Sequence, residues 1–301
     1  MHSMAKCDGN CRGQFAKRRL NVPVSLIQMC FLACGFFGSD SIAPDRMEAM
    51  LAAGDDEWIT AVFRRYPDEA MPFIDRYLEG GLKTIENGGS EKEANDSFRK
   101  GLKFAKLADK AFGETRFSDY AANFGSWSPE ERSWFRKGQK EFRQGRGSKD
   151  DPVKALAHFQ KALELAETLG DWWGMADAQG GVAQSRFALE QYDEARSAAM
   201  KAAEINARLR FRLKHIEARL VCAKCFKALG SPQAARGHLR IAWDQVRPRD
   251  DKKLRMEVLE AYCVALEASN ADKKAAELRE KFGLKPRSPS GDGETKSSDD
   301  E

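Results

Sequence analysis

Charge bias, histidine and proline are what this chain lacks. Its 50 basic and 46 acidic residues nearly cancel, and the excess of four lies within residues 1–34, where Lys6, Arg12, Lys17, Arg18 and Arg19 outweigh Asp8. Residues 35–301 are therefore neutral, with the signs interspersed. Neutralising a phosphate backbone takes a sustained basic surface, so the balance argues against nucleic acid as a partner. The four histidines, His2, His158, His215 and His238, are scattered, and no HExxH or phosphate-loop pattern occurs. Nothing in the sequence calls for a metal, a cofactor or a small-molecule substrate. Only 10 prolines in 301 residues, few β-branched runs and abundant Ala, Leu, Glu, Lys and Arg favour helix over strand. Cysteine is present but unpaired in pattern. Cys7, Cys11, Cys30 and Cys34 lie near the start and Cys222, Cys225 and Cys263 in the body, an odd set that builds no disulfide framework.

What is present begins with a leader. Lys17-Arg18-Arg19 precedes the uncharged run Val22 to Phe37, shorter than the roughly 20 residues of a usual membrane-spanning helix. A basic stretch, a short apolar run and then small residues is the layout of an export signal. Phe31-Leu32-Ala33-Cys34 also resembles a bacterial lipobox, which makes Cys34 a lipidation candidate. An acyl chain there, at about 0.8 kcal/mol per buried CH₂, would tether the body to a membrane. Simple cleavage at the same small residues is the other exported option. Residues 1–38 are thus expected to target the chain to the cell envelope or a membrane, a cytoplasmic location being the alternative. At the other end, residues 284–301 are rich in Ser, Gly, Asp and Glu and form no core, which predicts a disordered acidic tail.

The body repeats. Ala155, Phe159 and Ala162 are followed 40 residues later by Ala195, Ala199 and Ala202, and 40 later again by Ala235, Leu239 and Ala242, with Ala275 one further step on. Offsets of four and seven residues mark one helix face, so a small-residue face recurs with a fixed period. Between these lie Trp173 to Leu189, Leu213 to Leu229 and Leu254 to Ala268, each with apolar residues at helical spacing. Every period is a helix pair. Ser231-Pro232 and Ser128-Pro129-Glu130-Glu131 carry start signals. A diverged copy is read upstream, where Ala94, Phe98, Leu102, Ala105, Phe112 and Gly113 align at an offset of 61 residues with Ala155, Phe159, Leu163, Ala166, Trp173 and Gly174. Residues 46–88 read as two or three further helices that cap the array, since a terminal repeat would otherwise expose its apolar face.

Leu189-Glu190-Gln191-Tyr192-Asp193-Glu194-Ala195 through Ala202, and Phe226-Lys227-Ala228-Leu229-Gly230 through Ala242, resemble the tetratricopeptide repeat family. The usual period there is 34 residues, so the longer repeat resembles the kinesin light chain variant. Ala183, Ala223 and Cys263 stand where that family has Gly, and its Pro near the end of the second helix is absent. The resemblance implies an all-α, right-handed solenoid of antiparallel helix pairs over residues 126–283, with N-terminal helices and the diverged repeat in 39–125. It further implies a scaffold, not an enzyme, that holds a protein or peptide in a concave groove lined by first helices. An accessory regulatory subunit of a system encoded elsewhere is the alternative, and a hydrolase in residues 1–125 the remote one.

Within that reading, the run Arg208, Arg210, Arg212, Lys214, His215, Arg219, Lys224, Lys227 is the most concentrated charge in the body. Lys224 and Lys227, three apart on a first helix, share a face, and Lys137 and Lys140 stand two units earlier. These four are groove candidates for an acidic partner, with Phe187 and Val264 as apolar groove candidates. Cys222-Ala223-Lys224-Cys225 lies mid-helix, the wrong context for redox chemistry or zinc, and reads as core. Gly145-Arg146-Gly147-Ser148-Lys149 reads as a turn, and Asp150-Asp151 and Asp250-Asp251 as carboxylates at helix starts.

Overall fold

The computed structural model describes residues 43–248 and 250–285. The leader with Cys34 and everything beyond residue 285 lie outside the described residues. Thirteen α-helices and no strand occur among those described. Five come first: α1 (Pro44–Ala53), α2 (Asp56–Arg65), α3 (Ala70–Glu86), α4 (Glu91–Phe112) and α5 (Arg116–Ser126), with a 3₁₀ turn (Pro67–Glu69) between α2 and α3. Four pairs follow: α6 (Pro129–Gly147) with α7 (Pro152–Leu169), α8 (Trp172–Ala188) with α9 (Tyr192–Arg208), α10 (Arg212–Ala228) with α11 (Pro232–Gln245), and α12 (Lys252–Glu267) with α13 (Asp272–Phe282). From α6 onward each helix packs along the next. The second helices of the pairs start at 152, 192, 232 and 272, and the first helices from α8 at 172, 212 and 252. The period is 40 residues throughout.

The recurring small residues hold the pairs together. Ala155, Ala195, Ala235 and Ala275 are all buried, as are Ala162, Ala202 and Ala242, because a Cβ alone lets helices approach closely. Where a second helix carries a large residue, its neighbours give way. A Cβ on Gly145 of α6 or Gly181 of α8 would lie 2.8 or 2.5 Å from the Phe159 ring, so glycine on both flanks makes the room that Phe159 fills. Cys222 and Cys225 are buried free thiols in α10, and burial pushes Cys222 up to about 12. They fill core positions, as Cys263 does in α12.

Helix starts follow local chemistry. Ser128 and Ser90 both close capping boxes, with Glu131 and Glu93, and Asp151, Asp171 and Asp251 each accept from a main-chain N–H three residues on. Ser231 occupies the N-cap position before Pro232, but its side chain makes no capping bond. Corners obey a second, shorter rhythm. Gly170, Glu190, Arg210, Gly230 and Asn270 all have φ between 58° and 71°. At each, the following N–H reaches back to a helical carbonyl, for example Gln191 to Arg186 and Phe211 to Asn206, both 2.9 Å. This is the left-handed helix stop, repeated every half period. The step at 250 is broken, since α11 ends at Gln245 and Pro248 follows.

The upstream copy differs from its sequence alignment. Ala94, Phe98 and Ala105 are buried in α4 as their counterparts are in α7. Phe112-Gly113 closes α4, with Gly113 left-handed, whereas Trp173-Gly174 lies in the first turn of α8. The five N-terminal helices pack around aromatic side chains, Phe63, Phe73, Tyr77 and Phe104 among them. They meet the repeats at Trp127, whose ring lies 4.2 Å from Phe124 and 5.2 Å from Phe135.

Candidate functional site

Three neighbouring first helices, α6, α8 and α10, share a cleft of about 370 Å³. Small residues of α8 and α9, Ala176, Gly180, Ala183 and Ala202, leave it hollow, and Phe142, Phe159 and Val221 make it partly apolar. Arg146, Asp177, Gln184, Lys214 and Glu217 supply polar groups of both signs. Lys214 of α10 pairs with Asp177 of α8 and lies 5.2 Å from the centres of both the Trp173 and Phe211 rings, so aromatic faces and a carboxylate fix one ammonium. Trp173 Nε1 donates to the same Asp177 at 3.1 Å. Beneath them Asn206 of α9 is 3% exposed, and its Oδ1 is buried without a hydrogen-bond partner. Burial pushes the Glu217 carboxyl up, against the pull of Lys214.

A second cleft of about 260 Å³ adjoins the first and shares Phe142 and Asp177 with it. Here α3 and α5 face α6 and α8. The acidic side of α3 runs along this seam. Glu86 and Glu79 bind Arg136 of α6 at 2.6 and 3.0 Å, Asp75 lines the cleft, and Asp68 in the preceding 3₁₀ turn reaches Arg212 of α10 at 3.0 Å. Tyr120 of α5 donates to Asp171, the N-cap of α8, at 3.3 Å. Burial, then the nearby charges of Glu79 and Asp171, push Asp75 up to about 7, and burial pushes Asp171 up to about 6. One oxygen of Glu79, Oε2, is buried without a partner. These carboxylates are short of positive charge. No group of three or more metal-ligating side chains occurs among the described residues.

The basic run is largely engaged with acids. Arg208 binds Glu204, Arg212 binds Asp68 and Asp250, and Lys224 binds Glu257 at 3.1 Å. Arg219 lies between two imidazoles, donating to His215 Nε2 at 2.9 Å and meeting His238 Nδ1 at 3.1 Å. Lys137 and Lys140 are exposed on α6, and Lys224 and Lys227 on α10. Phe187 is part-buried at the end of α8, its ring 5.4 Å from Tyr192, and Val264 is part-buried on α12. None of these six lines the 370 Å³ cleft. Many of those that do are small, and only Lys214 among them belongs to the basic run. Asn206 carried a signal, since the apolar Ala166 and Val246 stand 40 residues to either side of it.

No helix among the described residues is long and apolar enough to cross a membrane. No family model and no curated protein matches the sequence. Among solved structures, BtubC (BKLC) from P. vanneervenii superposes on 83% of this chain and 96% of its own, with a TM-score of 0.39 and 12% sequence identity.

Proposed function

We propose that this chain is a binding scaffold whose α6–α8–α10 face takes a peptide or protein segment. The observation that carries this reading is the open cleft across three first helices, hollowed by glycine and alanine and rimmed by charges of both signs. A rigid helical array with a part-apolar groove and a few fixed polar groups is suited to recognition. Gly180 gives the test, because a Cβ built there meets nothing within 4 Å, so a side chain can leave the helix there toward the groove without displacing a neighbour at its root. A peptide selected on the full chain is expected to bind Gly180→Trp at least about tenfold more weakly, a loss of about 1.4 kcal/mol, by fluorescence anisotropy. Met200→Trp, on the exposed side of α9, is expected to bind as the parent does. Equal affinity for the Gly180→Trp chain would remove the groove from the function. If the partner is acidic, Lys224→Glu with Lys227→Glu weakens it and added salt does the same.

A further inference from the structure

A third cavity, of about 310 Å³, opens where the 3₁₀ turn meets the end of α9, the start of α10 and the end of α11. Asp68, Arg210, Arg212, His215, Gln245 and Arg247 line it, and Asn206 is the one lining residue it shares with the α6–α8–α10 groove. Arg212 is fully engaged. Its Nε donates to Asp68 at 3.0 Å, and its two Nη groups donate to Asp250 at 2.6 and 2.8 Å. Arg210 and Arg247 differ from it. Both are exposed, and each meets a carboxylate only beyond hydrogen-bond range, Arg210 at 3.7 Å from Glu114 and Arg247 at 3.6 Å from Asp68. Glu114 has a closer partner in Arg116 at 2.7 Å. Across these pairs four guanidinium groups meet three carboxylates, so one positive charge is in surplus among the described residues. Arg210 also holds a left-handed backbone, φ 61°, at a corner that glycine fills at 170 and 230. Its guanidinium lies over the Phe112 ring, 5.1 Å from the centre, an arrangement that keeps the in-plane N–H donors for a ligand. Gln245 adds a neutral donor. His215 Nε2 accepts from Arg219 and its Nδ1 bonds the Gln245 Oε1 at 2.9 Å, so Nε2 is the part of that carboxamide left to bind.

We propose that this pocket binds a small phosphate-bearing ligand, a diphosphate or a phosphate ester, clamped by Arg210 and Arg247. The site is independent of the groove. Asp68 displays the chemistry, since its carboxylate is an oxyanion already set between Arg212 and Arg247. Guanidinium groups match phosphate oxygens with pairs of charge-assisted hydrogen bonds, and the two exposed arginines have those donors uncommitted. The volume lies at the small end of ligand pockets, about 300–1,000 Å³, which favours a free ligand over a phosphate carried on a protein. Asp68 opposes such a ligand by like charge, so its removal acts with a sign opposite to removal of the arginines.

The probe is inorganic pyrophosphate, titrated into the full chain by calorimetry at low ionic strength. Arg210→Gly, which suits the left-handed corner, and Arg247→Gln are each expected to weaken binding about fivefold or more at unchanged helicity, the scale of one charge-assisted hydrogen bond. Asp68→Asn is expected to tighten it severalfold. Arg208→Gln removes the same charge from a residue that pairs with Glu204 and does not line the pocket, and is expected to bind as the parent does. Equal losses in Arg208→Gln and Arg210→Gly would reduce the effect to net charge and overturn the pocket, as would a parent chain that takes up no pyrophosphate. A phosphoserine between glycine-serine flanks that bound more tightly than pyrophosphate would assign the pocket to a modified protein and overturn the small ligand. Gly180→Trp, placed in the groove, is expected to leave pyrophosphate binding unaltered, so the pocket and the groove fail separately.

Discussion

Glu190, Arg210 and Asn270 hold left-handed backbone at corners where Gly170 and Gly230 do so without a Cβ. The strain is borne because the stop must fall there for the next helix to begin in register. Glu190 is exposed, so Glu190→Gly should remove strain and lose little, raising stability by about 1 kcal/mol in urea titration. The opposite sign is expected inside the pair. Ala195 is wholly buried between helices, and Ala195→Phe should lower stability by about 1–3 kcal/mol through overpacking; an unchanged unfolding midpoint would contradict the register. Ala195 was legible from sequence because small residues repeat and repetition is local information. The left-handed Glu190 and Arg210 were not, since neither residue type announces positive φ. They become intelligible only beside Gly170 and Gly230, their equivalents at half and whole periods.

At the scale of elements, the seam between α3 and the repeats has the sharpest pH dependence. Asp75 faces Glu79 and Lys83 on its own helix, Asp171 at the start of α8 and Arg136 on α6. Burial and like charge raise it to about 7 from an ordinary value near 4. A carboxyl raised in the folded state contributes stability that is complete at acid pH and is lost as pH rises through the folded value. Asp171, raised to about 6, acts in the same direction. The parent should therefore lose melting temperature relative to Asp75→Asn between pH 5.5 and pH 8, by about 2–4 °C for each kcal/mol lost, since the histidine contribution is common to both chains. A slope unaltered by the substitution would place the titrating group elsewhere. The histidines set the acid limit. Burial, and then the Arg219 charge, lower His215 and His238, so the neutral pair is stable above its ordinary range and fails as pH falls through the lowered values. None of this seam was readable in advance. Asp75 and its neighbours come from three helices, and their meeting depends on small rotations summed from pair to pair, which no local spacing records.

For the whole molecule, the all-helical class and the period and pairing of the repeats were legible because each pair contacts mainly its neighbours, so the pattern along the chain is the pattern in space. The cleft was legible only as a face, not as residues, since long basic side chains attract attention while the hollow beneath is made of Gly and Ala. The leader remains an expectation from composition. Full-length protein should fractionate with membranes or outside the cytoplasm, and deleting residues 1–38 should yield a soluble chain with unaltered helicity. Uncleaved protein recovered wholly in the cytosol would refute the targeting, and Cys34→Ala with unchanged membrane association would refute acylation alone. The contact of Asp68 with Arg212 spans 144 residues of chain. A linear array otherwise unravels from either end, one neighbour term at a time. Here the 3₁₀ turn after α2 is fastened to the third pair by that contact and by Arg247 on the same carboxylate, which closes the chain between them into a loop. Fraying is therefore directional. From α13 it runs inward, and the helices between the 3₁₀ turn and α10 are lost together, as a loop, once the fastening parts.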